Sequence, residues 1–198
     1  HASPKVLLGI ASGLSRKGIR LEKFVSTLSE KAQAGLRSEL QRASRTVESA
    51  DLSVSTLTRE LQDALLLLRH ATVDVASPKL RYVMERSSQA PIRLAALESF
   101  SSFHNSEITM WLIDRYPTET PAIRRAILSA LLASKERQLA LLGAIAEGKI
   151  AATEIDPVRA KQLTEAKDEA VREKARQVLA AAAPASRKEV LEAYQPAL

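Results

Sequence analysis

The sequence predicts an all-helical chain assembled from repeated helix pairs. Three observations lead there. Apolar residues recur at helical spacing along most of the chain, capping residues and prolines interrupt it at short intervals, and three segments share one phrase. Composition agrees. Apolar residues make up 45% of the 198 positions but aromatics only 4%, so the core must be built from Leu, Ala, Ile and Val. Such side chains suit closely spaced helices better than a β-sandwich. Only 6 glycines are present, which argues against many tight hairpins.

Taken in order, KVLLGIASGL (5–14) reads as a short apolar helix, and SRKGIR (15–20) as a basic turn around Gly18. Residues 21–48 read as one long helix or two shorter ones, with a weak apolar stripe and a largely solvated surface. SADLS (49–53) punctuates them. The strongest helix is 54–70, where Leu57, Leu61, Ala64, Leu65 and Leu68 fall on one face of a 3.6-residue period. Leu66 and Leu67 widen that face, so burial on more than one side is expected. Further helices are expected at 78–87, 91–103, 106–116, 121–134, 135–147, 157–166, 168–182 and 185–195.

The starts of three of these carry a physical signature. Ser77-Pro78, Thr120-Pro121 and Asp156-Pro157 each pair a capping side chain with proline at the first helical position. The cap accepts an orphan backbone N–H, and proline lacks an N–H that would otherwise be orphaned. Asn105 marks a further start, and Gly148 a helix C-terminus.

APIRLAALESF (90–100), PAIRRAILSAL (121–131) and EAVREKARQVL (169–179) resemble one another. Each opens with a branched apolar residue followed by arginine: Ile92-Arg93, Ile123-Arg124 and Val171-Arg172. Alanines follow at Ala95, Ala96, Ala126 and Ala175, and bulky apolar residues one turn later. Alanine lets helices approach closely, and the branched residues fill the space between layers. Each arginine lies just inside a helix start, placed to bridge to an adjacent loop or repeat. A single helix pair cannot bury its apolar face alone, whereas stacked pairs form a continuous core.

The phrase is similar to the HEAT-repeat family, whose second helices open with an apolar-Arg-Ala pattern. The similarity holds over 78–182 and is poor before residue 50. It implies an α-α superhelix, a HEAT-like solenoid over 54–198, with residues 1–53 as an atypical helical part that serves as a cap. RRAILSALLASKERQLALLGAIAEGKIAATEIDPVRAKQL (124–163) and EAVREKARQVLAAAAPASRKEVLEAYQPAL (169–198) resemble a narrower group. These are the helical segments of large bacterial PVC-type haem-binding proteins, the membrane-bound-dehydrogenase-like family. There a sugar-dehydrogenase-like β-propeller commonly precedes the HEAT segment, and a c-type cytochrome follows it. The resemblance implies a scaffold between two functional domains, in the periplasm or cell envelope. Haem c is implied only for the cytochrome domain.

This chain has no cysteine, which excludes disulfides, thiolate zinc sites, a cysteine nucleophile and thioether-linked haem within it. No catalytic, cofactor-binding or metal-ligating set emerges, because the carboxylates alternate with Lys and Arg as helix-face pairs do. His70, in LLRHA, reads as a helix C-terminal cap where the dipole favours a cation. His104 reads as a structural group at a helix junction. Trp111 shares a helical face with Ile108 and Leu112 and reads as packing; exposed, it would mark a docking site. No stretch is apolar for long enough to span a membrane, and HASPKVLLGI is too short for a signal peptide.

The net charge of +6 is uneven. Residues 1–48 hold nine basic and four acidic groups. Arg16, Lys17, Arg20 and Lys23 form the densest basic patch. It reads either as a solvated turn or as a surface for phosphates, acidic lipids or an acidic partner domain. The partners expected are a protein or adjacent domains of the same polypeptide. A basic HEAT-like nucleic-acid-binding module is the alternative, although only Phe24 offers aromatic stacking beside the basic groups.

Overall fold

The computed structural model describes residues 4–19 and 21–181. The described residues are helical throughout, joined by short loops, with no β-strand among them. The expected helix at 185–195 and Arg20 lie outside the described residues. Two compact units are present. One takes the chain up to Ile108 together with Glu119–Ala130, and the other takes Thr109–Thr118 with the chain from Leu131 onward.

The first unit begins with α1 (Pro4–Ser15), α2 (Leu21–Ser26) and α3 (Glu30–Ser49). The segment 21–48 is thus two helices, with Ser29 at the N-cap position of the second. Gly18 has φ 69°, and the Ile19 N–H returns to the Leu14 carbonyl at 3.0 Å. This is the bond of a glycine-terminated helix, and only glycine adopts that φ without a Cβ clash. α3 is less solvated than its composition implies. Leu36, Glu39, Ala43 and Val47 form a buried stripe, because they recur every three to four residues on one face.

α4 (Arg59–Leu68) is the centre of this unit, packing against α1, α3, α5 (Val73–Arg86) and α6 (Ala90–Ser101). Leu61, Ala64, Leu65, Leu67 and Leu68 are all buried, as the widened apolar face requires. The helix starts later than the periodicity predicts. Thr58 accepts a hydrogen bond from the Leu61 N–H at 3.2 Å, and that cap leaves Leu57 outside.

α5 corrects the Ser77-Pro78 start. The helix begins five residues earlier, after Thr72, and Pro78 lies inside it. Proline removes the N–H that would reach the Asp74 carbonyl. Both residues are exposed, so the lost bond falls on the solvent side of the helix, where it costs least, and the helix continues. Ser77 is buried rather than capping.

α6 docks on both α4 and α5. Its fully buried Ser99 donates from Oγ to the Leu65 carbonyl at 2.7 Å, which satisfies a hydroxyl inside an apolar contact. α7 (Ser106–Arg115) starts at Asn105 as expected, with Oδ1 accepting from the Ile108 N–H at 3.0 Å. α8 (Pro121–Leu131) starts at the expected proline.

In the second unit, α11 (Glu169–Ala181) packs against α9 (Lys135–Ala146) and α10 (Pro157–Thr164). Asp156 caps α10 through the Arg159 N–H at 3.0 Å, ahead of Pro157, as the sequence predicts. Gly148 has φ 74°, and the Lys149 N–H meets the Ala144 carbonyl at 2.9 Å, closing α9 in the same way as α1. Asp168 accepts from the Val171 N–H at 3.2 Å and pairs with Lys135 at 2.7 Å. The Lys135 hydrogen bond, followed by the backbone bond, holds the Asp168 carboxyl below the usual range.

Candidate functional site

The branched residues of the shared phrase, Ile92, Ile123 and Val171, are fully buried. Each is the apolar plug of its helix start. Ala96 and Ala175 are fully buried as well, while Ala95 and Ala126 are half-buried. Two of the four small residues thus lie inside helix contacts, where a larger side chain would not fit without displacement.

The arginines beside them are engaged within the protein. Arg124 Nε donates to the Glu119 carbonyl at 2.9 Å, and Arg172 Nη1 donates to the Ala166 carbonyl at 3.0 Å. Both reach back over the helix start and fasten the incoming loop. Arg93 acts across a longer span. Its guanidinium is buried and pairs through Nη2 with both carboxylate oxygens of Glu119, also buried. Glu119 therefore binds two of the phrase's arginines, one through its side chain and one through its backbone.

Sequence reasoning missed Glu119. Its position just before Thr120-Pro121 is the only local hint, and nothing local pairs it with an arginine 26 residues earlier. It also missed Glu39 and Arg137, which are 2% and 1% exposed. Glu39 lies 3.1 Å from Arg42 on the next turn. Desolvation lowers the Arg137 pKa.

The basic patch is arranged differently. Arg16 and Lys17 are exposed at the turn after α1, and Lys23 is exposed on α2. Beside α2, a cavity of about 660 Å³ is lined by Leu7, Ile10, Leu21, Phe24, Leu36 and Lys31, among others. Each arginine of the shared phrase directs at least one donor into an internal bond.

The histidines deviate from expectation. Far apart in sequence, His70 and His104 line one cavity of about 510 Å³, at the C-terminal ends of α4 and α6. His70 is not a charged cap. Burial first, and the neighbouring Arg69 second, push its pKa from the usual 6.5 to about 4, so the imidazole is neutral at pH 7. His104 is exposed. Trp111 is half-buried, with the Arg115 guanidinium 5.5 Å from its ring centroid. Ile108 and Leu112, on the same face, are fully buried.

Among the described residues, no three or more His, Asp or Glu side chains are grouped to hold a metal ion. No described helix is long and apolar enough to cross a membrane. Compared with known proteins, the chain matches no family model, no curated protein and no solved structure.

Proposed function

We propose that this chain is a non-catalytic, HEAT-like helical scaffold that spaces or docks neighbouring domains or a protein partner. The observation that carries the reading is the shared role of Arg124 and Arg172. In different parts of the chain, the same residue at the same place in the phrase fastens the loop that enters its helix. A recurrent fastening of this kind is what a repeat protein needs, because its stability is built from neighbouring units. The buried plugs Ile92, Ile123 and Val171 support the same reading.

The phrasing of 124–163 and 169–198 supports a parent polypeptide that also carries a dehydrogenase-like propeller and a c-type cytochrome, in the periplasm or cell envelope. Electron transfer and haem c then belong to the neighbouring domain, and this chain sets where that domain stands.

The test discriminates against a nucleic-acid-binding module. Phosphate contacts from Lys and Arg make such binding steeply salt-dependent. In a fluorescence-anisotropy titration at about 150 mM salt, duplex DNA is expected to show no saturable binding at micromolar protein. Tight binding under that condition defeats the scaffold reading, and its salt slope counts the phosphates engaged.

A further inference from the structure

The cavity that joins His70 and His104 is lined by Gly18, Ile19, Arg69, Ala71, Thr72, Val73, Ser102 and Phe103 as well. Among the described residues that line it, three bear side-chain nitrogens, Arg69, His70 and His104, and none is a carboxylate. None of the three makes a side-chain hydrogen bond to another described residue. Arg69 comes within 3.8 Å of Glu98, an ion pair too long for a hydrogen bond. The Thr72 side chain, at the N-cap position of α5, makes no capping hydrogen bond. Arg69, His70, Thr72 and His104 thus line one cavity, and of the four only Arg69 has a charged partner among the described residues, Glu98.

The helix ends around the cavity do not cancel this excess. Their last carbonyls have partners: Leu67 and Leu68 accept from the His70 and Ala71 N–H groups, Phe100 from Phe103, and Leu14 from Lys17 and Ile19. The Arg69 carbonyl faces Ser102 Oγ at 3.4 Å.

We propose that this cavity is a binding site for a small organic phosphate monoester. Arg69 is the charged donor, and His104, His70 and Thr72 supply further donors. A guanidinium on the wall disfavours a metal cation at the two imidazoles. A phosphate group offers three terminal oxygens to donors on different walls, where a carboxylate offers two. The volume exceeds what phosphate alone fills, and Ile19, Ala71, Val73 and Phe103 provide an apolar floor for an organic portion.

The two histidines of the cavity give a direct readout. The imidazole C2–H resonances of the whole chain are followed by NMR at fixed pH and ionic strength. The probes are phenyl phosphate, inorganic phosphate and acetate. The His70 and His104 signals are expected to move together and saturate with one dissociation constant. Phenyl phosphate is expected to bind about tenfold more tightly than either other probe, and Arg69→Gln to weaken it by about tenfold or more. His104→Ala, at an exposed position, is expected to weaken binding several-fold with the helical circular dichroism unchanged, and it serves as the reading if Arg69→Gln fails to fold. Shifts that stay linear in both histidines overturn the proposal. So does binding that a folded Arg69→Gln or His104→Ala leaves intact, or acetate binding as tight as phenyl phosphate.

Discussion

Glu119→Ala is expected to destabilise the first compact unit by about 3–5 kcal/mol. The carboxylate it removes is the partner of Arg93, and both groups lie almost wholly out of water. Breaking such a pair strands a charge that cannot be rehydrated without opening the structure around Ile92 and Ile123. The loss is a large part of the stability of an ordinary domain, about 5–15 kcal/mol. Urea unfolding followed by circular dichroism gives the value. Arg93→Met combined with Glu119→Leu is expected to recover most of it, because replacing both charges removes the desolvation cost together with the attraction. If Glu119→Ala costs less than about 1 kcal/mol, the pair is a solvated contact and Glu119 is not the fastening between the two helix starts.

The second large effect is a loss of stability in acid that traces to His70. Its native pKa, about 4, lies below its usual value of 6.5. Between those values the unfolded chain binds a proton that the native chain does not, so stability falls as the pH drops. The contribution is fully present above pH 6.5 and is lost progressively down to pH 4. A shift of this size is worth up to about 3 kcal/mol for a group fully shielded from water. The imidazole is half-buried, which reduces the expected loss to about 1–2 kcal/mol. Carboxylates titrate over part of this range, so the contrast between the wild-type chain and His70→Gln at pH 7.5 and 4.5 isolates the histidine. Equal acid sensitivity in both proteins contradicts a desolvated imidazole.

Much of the local structure was legible because it depends on neighbours in sequence. The face formed by Leu61, Ala64, Leu65 and Leu68 is set by helical period, and all four are buried. Asp156-Pro157 and Asn105 act within three residues of themselves. Gly148 ends α9 because no other residue takes its φ so cheaply. Pro78 shows where this logic stops. A capping residue before proline describes a helix start, but it also fits an exposed turn inside a helix whose freed carbonyl faces water.

The features that matter most for the site were not legible, since they pair residues from distant parts of the chain. Nothing near Glu119 in sequence marks it as the partner of Arg93. The reading of His70 as a cationic cap considered only its own helix end. The burial that neutralises it, and the cavity it shares with His104, depend on how helices more than thirty residues apart pack. Of the N-terminal basic cluster, Arg16, Lys17 and Lys23 are exposed, as charged side chains on short helices and turns ordinarily are.

A scaffold that spaces its neighbours must hold its own parts at a set separation. The lack of cysteine makes this directly measurable, because Arg37→Cys on α3 and Arg125→Cys on α8 place both dyes at exposed positions within the first compact unit. Single-molecule energy transfer between the two is expected to give one narrow distance distribution, unchanged by dilution. A broad distribution, or several that interconvert, contradicts a spacing role.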